Sequence, residues 1–399
     1  MNKRHIQHTK PVQSVQVRTA LLAILEPHLP LGIEGRNLDD ETVWDLLIYA
    51  SVHNTTIEAA CDELAIPASG NTVREHLNDA LDDSRPGVIA LEQQLNDALR
   101  AQLPPPFIKR LARQRFDIAI DLVEIAYHGQ SQREQHEVRR GKAKSGTTHF
   151  HTYATLAIVH DDQRYELALT FVWADETLPE VVKRLLLRAK TLGVCIRRAY
   201  LDKGFCSSEM FRFLRRHRIP YVIPVPLRGK VLKALCRGRH SYRTRYTFNA
   251  NTPKAYPADL VLVCKYSCGR RGRHQVQWLV YAVYGVDDDI PPLQIHELYR
   301  RRFGIESGYR QTHQVRARTT SRSPALRLLL MGLALLIFNV YIALRQIWLT
   351  VRHFGQRTRR IWLTLKRLAL MLARLIESSC GVTTVEQVAC SQLTFLPIS

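Results

Sequence analysis

The apolar pattern changes period at Arg115, and that change restricts the available folds more than any other feature of the chain. Phe116–Asp121 alternates apolar and acidic residues, while Thr152–Val159 and Tyr165–Trp173 read as strands that can form a hairpin around Asp161-Asp162. Leu178–Thr191 has the spacing of an amphipathic helix, and Ile196–Leu201 is a further strand. Ser207–His217 reads as a helix capped by Ser207 with Glu209 in its first turn, followed by a short strand at Tyr221–Val225. That order predicts an α/β architecture: a mixed sheet with helices on both faces.

The flanking regions read differently. Residues 1–110 predict a separate helical domain, with helical spacing in Thr42–Val52 and Thr56–Leu64 and a boundary at Pro104-Pro105-Pro106. Within it, Thr56–Leu64, a turn at Ala65–Ser69 and Asn71–Leu77 have the proportions of a helix-turn-helix presenting Asn71, Thr72, Arg74 and Glu75; an ordinary helical hairpin has the same proportions. Residues 226–290 read as a β-rich insertion with strands at Leu260–Tyr266 and Val276–Tyr284, which divides the core into 111–225 and 291–345. Residues 346–399 are expected to form a basic helical region. Leu328–Leu344 holds 17 residues without a charge between Arg327 and Arg345, short of the roughly 20 that span a bilayer, and Gly332 and Asn339 interrupt it. A buried core helix is the better expectation, and no membrane partner is expected.

A net charge of +21 favours a polyanion, with nucleic acid foremost. The charge is unevenly spread: residues 1–100 carry 8 Lys/Arg against 15 Asp/Glu, leaving 49 against 21 for the remainder. Residues 226–280 hold 12 Lys/Arg against a single acid, Asp259, which points to phosphate contact there, with Arg270, Arg271 and Arg273 as the densest cluster. The eight cysteines form no framework, and Cys264 and Cys268 lack a second pair at zinc-finger spacing. With no apolar leader in Met1–Gln16, reduced thiols in a prokaryotic cytoplasm, on nucleoid DNA, are expected.

Three acids stand where elements can converge. Asp121 is expected to close its strand, Asp202 follows Ile196–Leu201, and Glu306 projects from a helix over Ile295–His313. On that helix Tyr299, Arg302, Glu306, Arg310 and His313 share one stripe at about 100° per residue. Gathered carboxylates repel unless cations intervene, and hard oxygen ligands suit Mg²⁺ or Mn²⁺; two such ions about 4 Å apart can clamp a phosphate. Asp117 and Glu124 compete for the first position, but the place at the strand end favours Asp121. His128 is expected to serve as a structural hydrogen-bonding residue.

Tyr299-Arg300-Arg301-Arg302-Phe303-Gly304-Ile305-Glu306 resembles the signature of insertion-sequence family four, a group of DDE transposases. Tyr299, Arg302 and Glu306 match its Tyr, Arg and Glu, while His313 stands at the Lys position. Ala199-Tyr200-Leu201-Asp202-Lys203-Gly204-Phe205 looks like the second-aspartate motif of that family, and Ile118-Ala119-Ile120-Asp121 like the first; the resemblance spans roughly 115–345. It implies an RNase H-like core with a β-rich insertion before the glutamate, in keeping with the 104 positions that separate Asp202 from Glu306. It further implies metal-dependent cleavage at transposon ends, strand transfer into target DNA, metal ligation by Asp121, Asp202 and Glu306, and phosphate contacts from Tyr299, Arg302 and His313; Arg310, on the same stripe, is expected to contact DNA beside them. A homodimer on double-stranded DNA is expected. Two other readings stand beside it: a metal-dependent nuclease of the same fold without strand transfer, and a non-catalytic DNA-binding derivative.

Overall fold

The computed structural model describes residues 14–35, 38–130, 136–159, 165–268, 274–300, 312–345, 349–354 and 357–382. The chain opens with α1 (Ser14–His28), α2 (Asp40–Val52), α3 (Ile57–Glu63), α4 (Gly70–Ala80), α5 (Arg85–Ala101) and α6 (Pro105–Leu111). Side chains of Asp39, Thr56, Ser69 and Ser84 accept first-turn N–H groups and so start α2 to α5. There follow β1 (Arg115–Ala126), β2 (Arg139–Lys144), β3 (Thr147–Val159), β4 (Glu166–Val172), α7 (Leu178–Thr191), β5 (Cys195–Leu201), a 3₁₀ turn (Lys203–Phe205), α8 (Ser208–Arg216) and β6 (Tyr221–Pro224). Then come α9 (Lys230–Leu235), β7 (Tyr242–Phe248), β8 (Tyr256–Cys268), β9 (His274–Tyr284), α10 (Pro292–Arg300), α11 (Pro324–Arg345), β10 (Leu349–Phe354), β11 (Arg357–Trp362) and α12 (Leu365–Ser379).

The main sheet runs β2–β3–β1–β5–β6–β9–β8–β7, with β4 also on β3. Pairs β1–β5 and β5–β6 are parallel and the others antiparallel, so the sheet is mixed as expected. Strands of the basic insertion do not stand apart: β9 pairs with β6 from Tyr221↔Tyr284 to Pro224↔Tyr281, and β7–β9 extend the core sheet.

The helices of the first hundred residues do not form a separate unit either. One continuous apolar core joins Val17, Leu47, Leu95 and Leu99 to Leu169 of β4, Leu333 of α11 and Leu372 of α12. Gly332 permits a close approach of α11 to α5, because a Cβ there would meet Leu95 Cδ2 at 2.3 Å. This explains the glycine inside α11, where it costs about 1 kcal/mol of helix propensity relative to Ala. α11 is long and apolar enough to cross a membrane, but 94% of its apolar window is buried inside the protein.

Buried amides close the open edge of β4. Asn96 of α5 donates to Leu169 O and accepts from Leu169 N, both at 2.8 Å. Asn339 of α11 does the same at Glu166, at 2.9 and 3.0 Å, and Glu92 accepts from Phe171 N at 2.9 Å. The C-terminal region departs from expectation: β10 and β11 form an antiparallel hairpin before α12, where β-branched Thr350, Val351, Thr358 and Ile361 favour extended backbone.

Candidate active site

Strand β1 is longer than its first alternating stretch suggested, and Asp121 lies inside it rather than at its end. What ends there is the pairing with β5, whose last partners are Ile120↔Leu201. Asp121 and Asp202 are therefore the next residues on adjacent parallel strands, whose spacing is about 4.8 Å. Ala119 and Tyr200, two residues back on each strand, belong to the smaller apolar cluster on one face of the sheet. Period two places both aspartates on that same face. Both are half-buried. Asp121 Oδ1 accepts from Leu122 N at 2.8 Å, and Asp202 caps the turn at Lys203–Phe205.

Asp117, the competing acid, has a different environment. It retains 2% of its surface and receives Arg197 through Nε at 2.7 Å and Nη2 at 2.9 Å. Tyr200 Oη donates to it at 3.1 Å, and burial together with the Asp117 charge pushes the phenol up to about 12. This is a structural ion pair that fixes β1 against β5. The sequence carries only a faint mark of it, an arginine in one predicted strand and an acid in another, because the register that joins them is tertiary.

The face bearing the aspartates is covered on two sides. α10 packs Ile295 and Tyr299 against Ala119, Tyr200 and Tyr281. Tyr299 is buried, with its ring 6.2 Å from Tyr200 and 5.2 Å from Tyr281, and its hydroxyl donates to the Leu201 carbonyl at 3.3 Å. In this structure Tyr299 fixes the end of β5 beside Asp202 rather than offering an exposed hydroxyl to phosphate. On the other side Thr312, His313, Arg316 and Met331 surround a small gap against Val123, two residues beyond Asp121 on the same face. The described residues before and after 301–311 thus bracket Asp121.

His313 keeps solvent access, yet crowding and the cations of Arg316 and Lys144 lower its pKa to about 4. Its backbone carbonyl, and that of Arg316, accept from Asn54 Nδ2 at 2.9 and 2.8 Å, tying this segment to the α2–α3 turn. Among the described residues no group of three His, Cys, Asp or Glu side chains is gathered to hold a metal ion. Glu306, Arg302 and Arg310 lie outside the described residues, as do Arg270, Arg271 and Arg273. Part of the basic insertion is neutralised by acids elsewhere or within it: Arg243 pairs with Asp288, Lys254 with Glu209 and Arg245 with Asp259. Arg228, Lys230, Lys233, Arg237 and Arg239 are exposed.

In sequence, the family described as Transposase DDE domain matches residues 102–340. No curated protein matches the chain. In structure, the chain is similar to a piggyBac transposase determined by cryo-EM as a synaptic complex with hairpin DNA. That likeness has a TM-score of 0.52 at 13% identity and covers 92% of this chain and 78% of the other.

Proposed function

Since the chain belongs to the transposase DDE domain family, we propose that it is a DNA transposase that cleaves transposon ends and joins the freed 3′-hydroxyl to target DNA, using Asp121, Asp202 and Glu306. The observation that carries this reading is the strand register, which sets Asp121 beside Asp202 on one face of the sheet. Glu306 is the third member by its signature position, in a stretch whose described neighbours flank Asp121.

Two neighbouring carboxylates of hard oxygen character fit the divalent ions that this family uses, and we take these to be Mg²⁺ or Mn²⁺, two in number. When bound, such ions supply Lewis acidity to the phosphodiester. The chain's own residues would orient it: Asp121 from within β1, Asp202 from the turn that follows β5, and Tyr299 by holding the Leu201 carbonyl that precedes Asp202. We assign the signature of insertion-sequence family four on the same ground, with Arg302 as the bidentate phosphate ligand. An element has two ends and one chain carries one set of acids, which supports a homodimer on DNA. A strand-transfer assay with pre-cleaved ends tests the reading: joined products are expected, and cleavage without joining would assign a nuclease instead.

His313 is neutral above its lowered pKa, so it carries no charge between pH 6 and 8. His313→Gln is accordingly expected to leave the shape of the cleavage rate against pH unchanged across that window. An inflection near pH 6.5 in wild type that vanishes in the variant would show a charged His313 at work. Neutralising Arg270, Arg271 and Arg273 together is expected to flatten the salt dependence of duplex binding, by roughly 0.9 in log–log slope for each phosphate that is no longer neutralised. An unchanged slope would make that cluster a solvated surface.

A further inference from the structure

Beyond Asp121 on the same sheet face, the chain after residue 311 crosses the far half of β1. There Arg316, Arg318, Thr319 and Arg327 line a cavity of about 190 Å³ together with Ile125 and Ala126. Arg327 retains 6% of its surface; its Nε donates to Ser321 O at 2.6 Å, and its guanidinium lies 5.0 Å over the Tyr127 ring. Arg318 is held by Asn54 Oδ1, which accepts from its Nε at 2.9 Å and its Nη2 at 2.7 Å. Arg316 differs from both: its Nη1 is out of solvent and has no hydrogen-bond partner among the described residues.

Burial lowers the pKa of Arg316 and of Arg327, and the Arg327 charge lowers that of Arg316 further. The opposing influences come from Tyr153 and Tyr127; no carboxylate is among the described groups acting on either guanidinium. A buried guanidinium is ordinarily paired, because an uncompensated interior charge costs several kcal/mol. A cavity lined by three arginines, of which Arg327 is buried and Arg316 half-buried with a donor that has no partner among the described residues, therefore points to an anion from outside the chain. Planar guanidinium forks fit phosphate oxygens, and the Thr319 hydroxyl adds a further donor.

The position suggests which anion. At about 3.3 Å per strand residue, Ile125 is roughly 13 Å along β1 from Asp121. A DNA strand rises about 3.4 Å per nucleotide, so a phosphate here belongs within about four nucleotides of the catalytic acids. We propose that this cavity receives one backbone phosphate of the DNA strand that passes through the active site, gripped by Arg316 and Arg318 with Arg327 and Thr319 in support. The identity of the strand rests on the transposase reading; the oxyanion cavity does not.

Two measurements on the full chain test this, and neither uses cleavage. Inorganic phosphate, against chloride at matched ionic strength, is expected to raise the melting temperature of wild type but not of Arg316→Met. Affinity for a random-sequence duplex, followed against salt, is expected to show a log–log slope smaller by about 0.9 in Arg316→Met. Equal phosphate shifts in both proteins would overturn the cavity. A phosphate shift that depends on Arg316, with an unchanged duplex slope, would overturn DNA as its source. If Arg316→Met does not fold, Arg316→Lys keeps the charge and loses the fork. Its phosphate shift should then shrink while the slope persists, and an undiminished shift would again overturn the cavity. A failed transposase reading leaves the phosphate response intact, whereas a failed cavity leaves strand transfer intact.

Discussion

Asp121→Ala, Asp202→Ala and Glu306→Ala are each expected to cut cleavage of an end-containing duplex by about a thousandfold or more, since a bound metal supplies several kcal/mol of transition-state stabilisation. Binding of the same duplex should survive, because phosphates are held by basic residues and not by these acids. Asp117→Asn supplies the contrast. Asp117 is spent on Arg197 and Tyr200, so its replacement should lower the melting temperature while leaving a measurable cleavage rate in the folded fraction. Rates within tenfold of wild type for any of the three alanine variants would remove that acid from the set. Abolished cleavage in a well-folded Asp117→Asn protein would return the first position to Asp117.

The second large effect concerns stability. Asn96→Leu would leave both Leu169 N and Leu169 O without partners in the core, and Asn339→Leu would do so at Glu166. An orphaned buried group costs about 1–3 kcal/mol, so each variant should lose roughly 2–6 kcal/mol, a large share of the 5–15 kcal/mol typical of a folded domain. Denaturant unfolding should show a lower midpoint with an unchanged slope. A midpoint equal to wild type would mean that the edge of β4 does not depend on these amides.

The core elements were legible because each has a local cause. The alternation of Phe116–Asp121, the amphipathic Leu178–Thr191 and the Ser207 cap all fixed their elements close to where they stand. The candidate acids stand out in the sequence by their order and the signature resemblance, but Asp121 does not end its strand. Its strand continues five residues to Ala126, and what distinguishes it is the end of pairing with β5, a tertiary property that no single strand displays. Pairing of β9 with β6 and docking of α5 on β4 were hidden for the same reason: partners far apart in sequence leave no periodic mark. Asn339 illustrates the limit well. In sequence it reads as a flaw in an apolar helix; in the fold it holds a strand 173 positions away.

The family match begins at residue 102, immediately after α5. The matched segment and the apolar core therefore have different borders in this protein. A fragment cut at that border would strip Asn96 and Glu92 from β4 and Leu95 from Gly332, exposing a raw strand edge and one flank of an apolar helix. Such a fragment should aggregate through that edge instead of yielding a minimal nuclease. Residue 54 extends the point to chemistry, since Asn54 grips the backbone at His313 and Arg316 on the face of Asp121. The leading helices are thus mechanically in series with the sheet face that bears Asp121, and a cut between them would separate parts that hold one another in place.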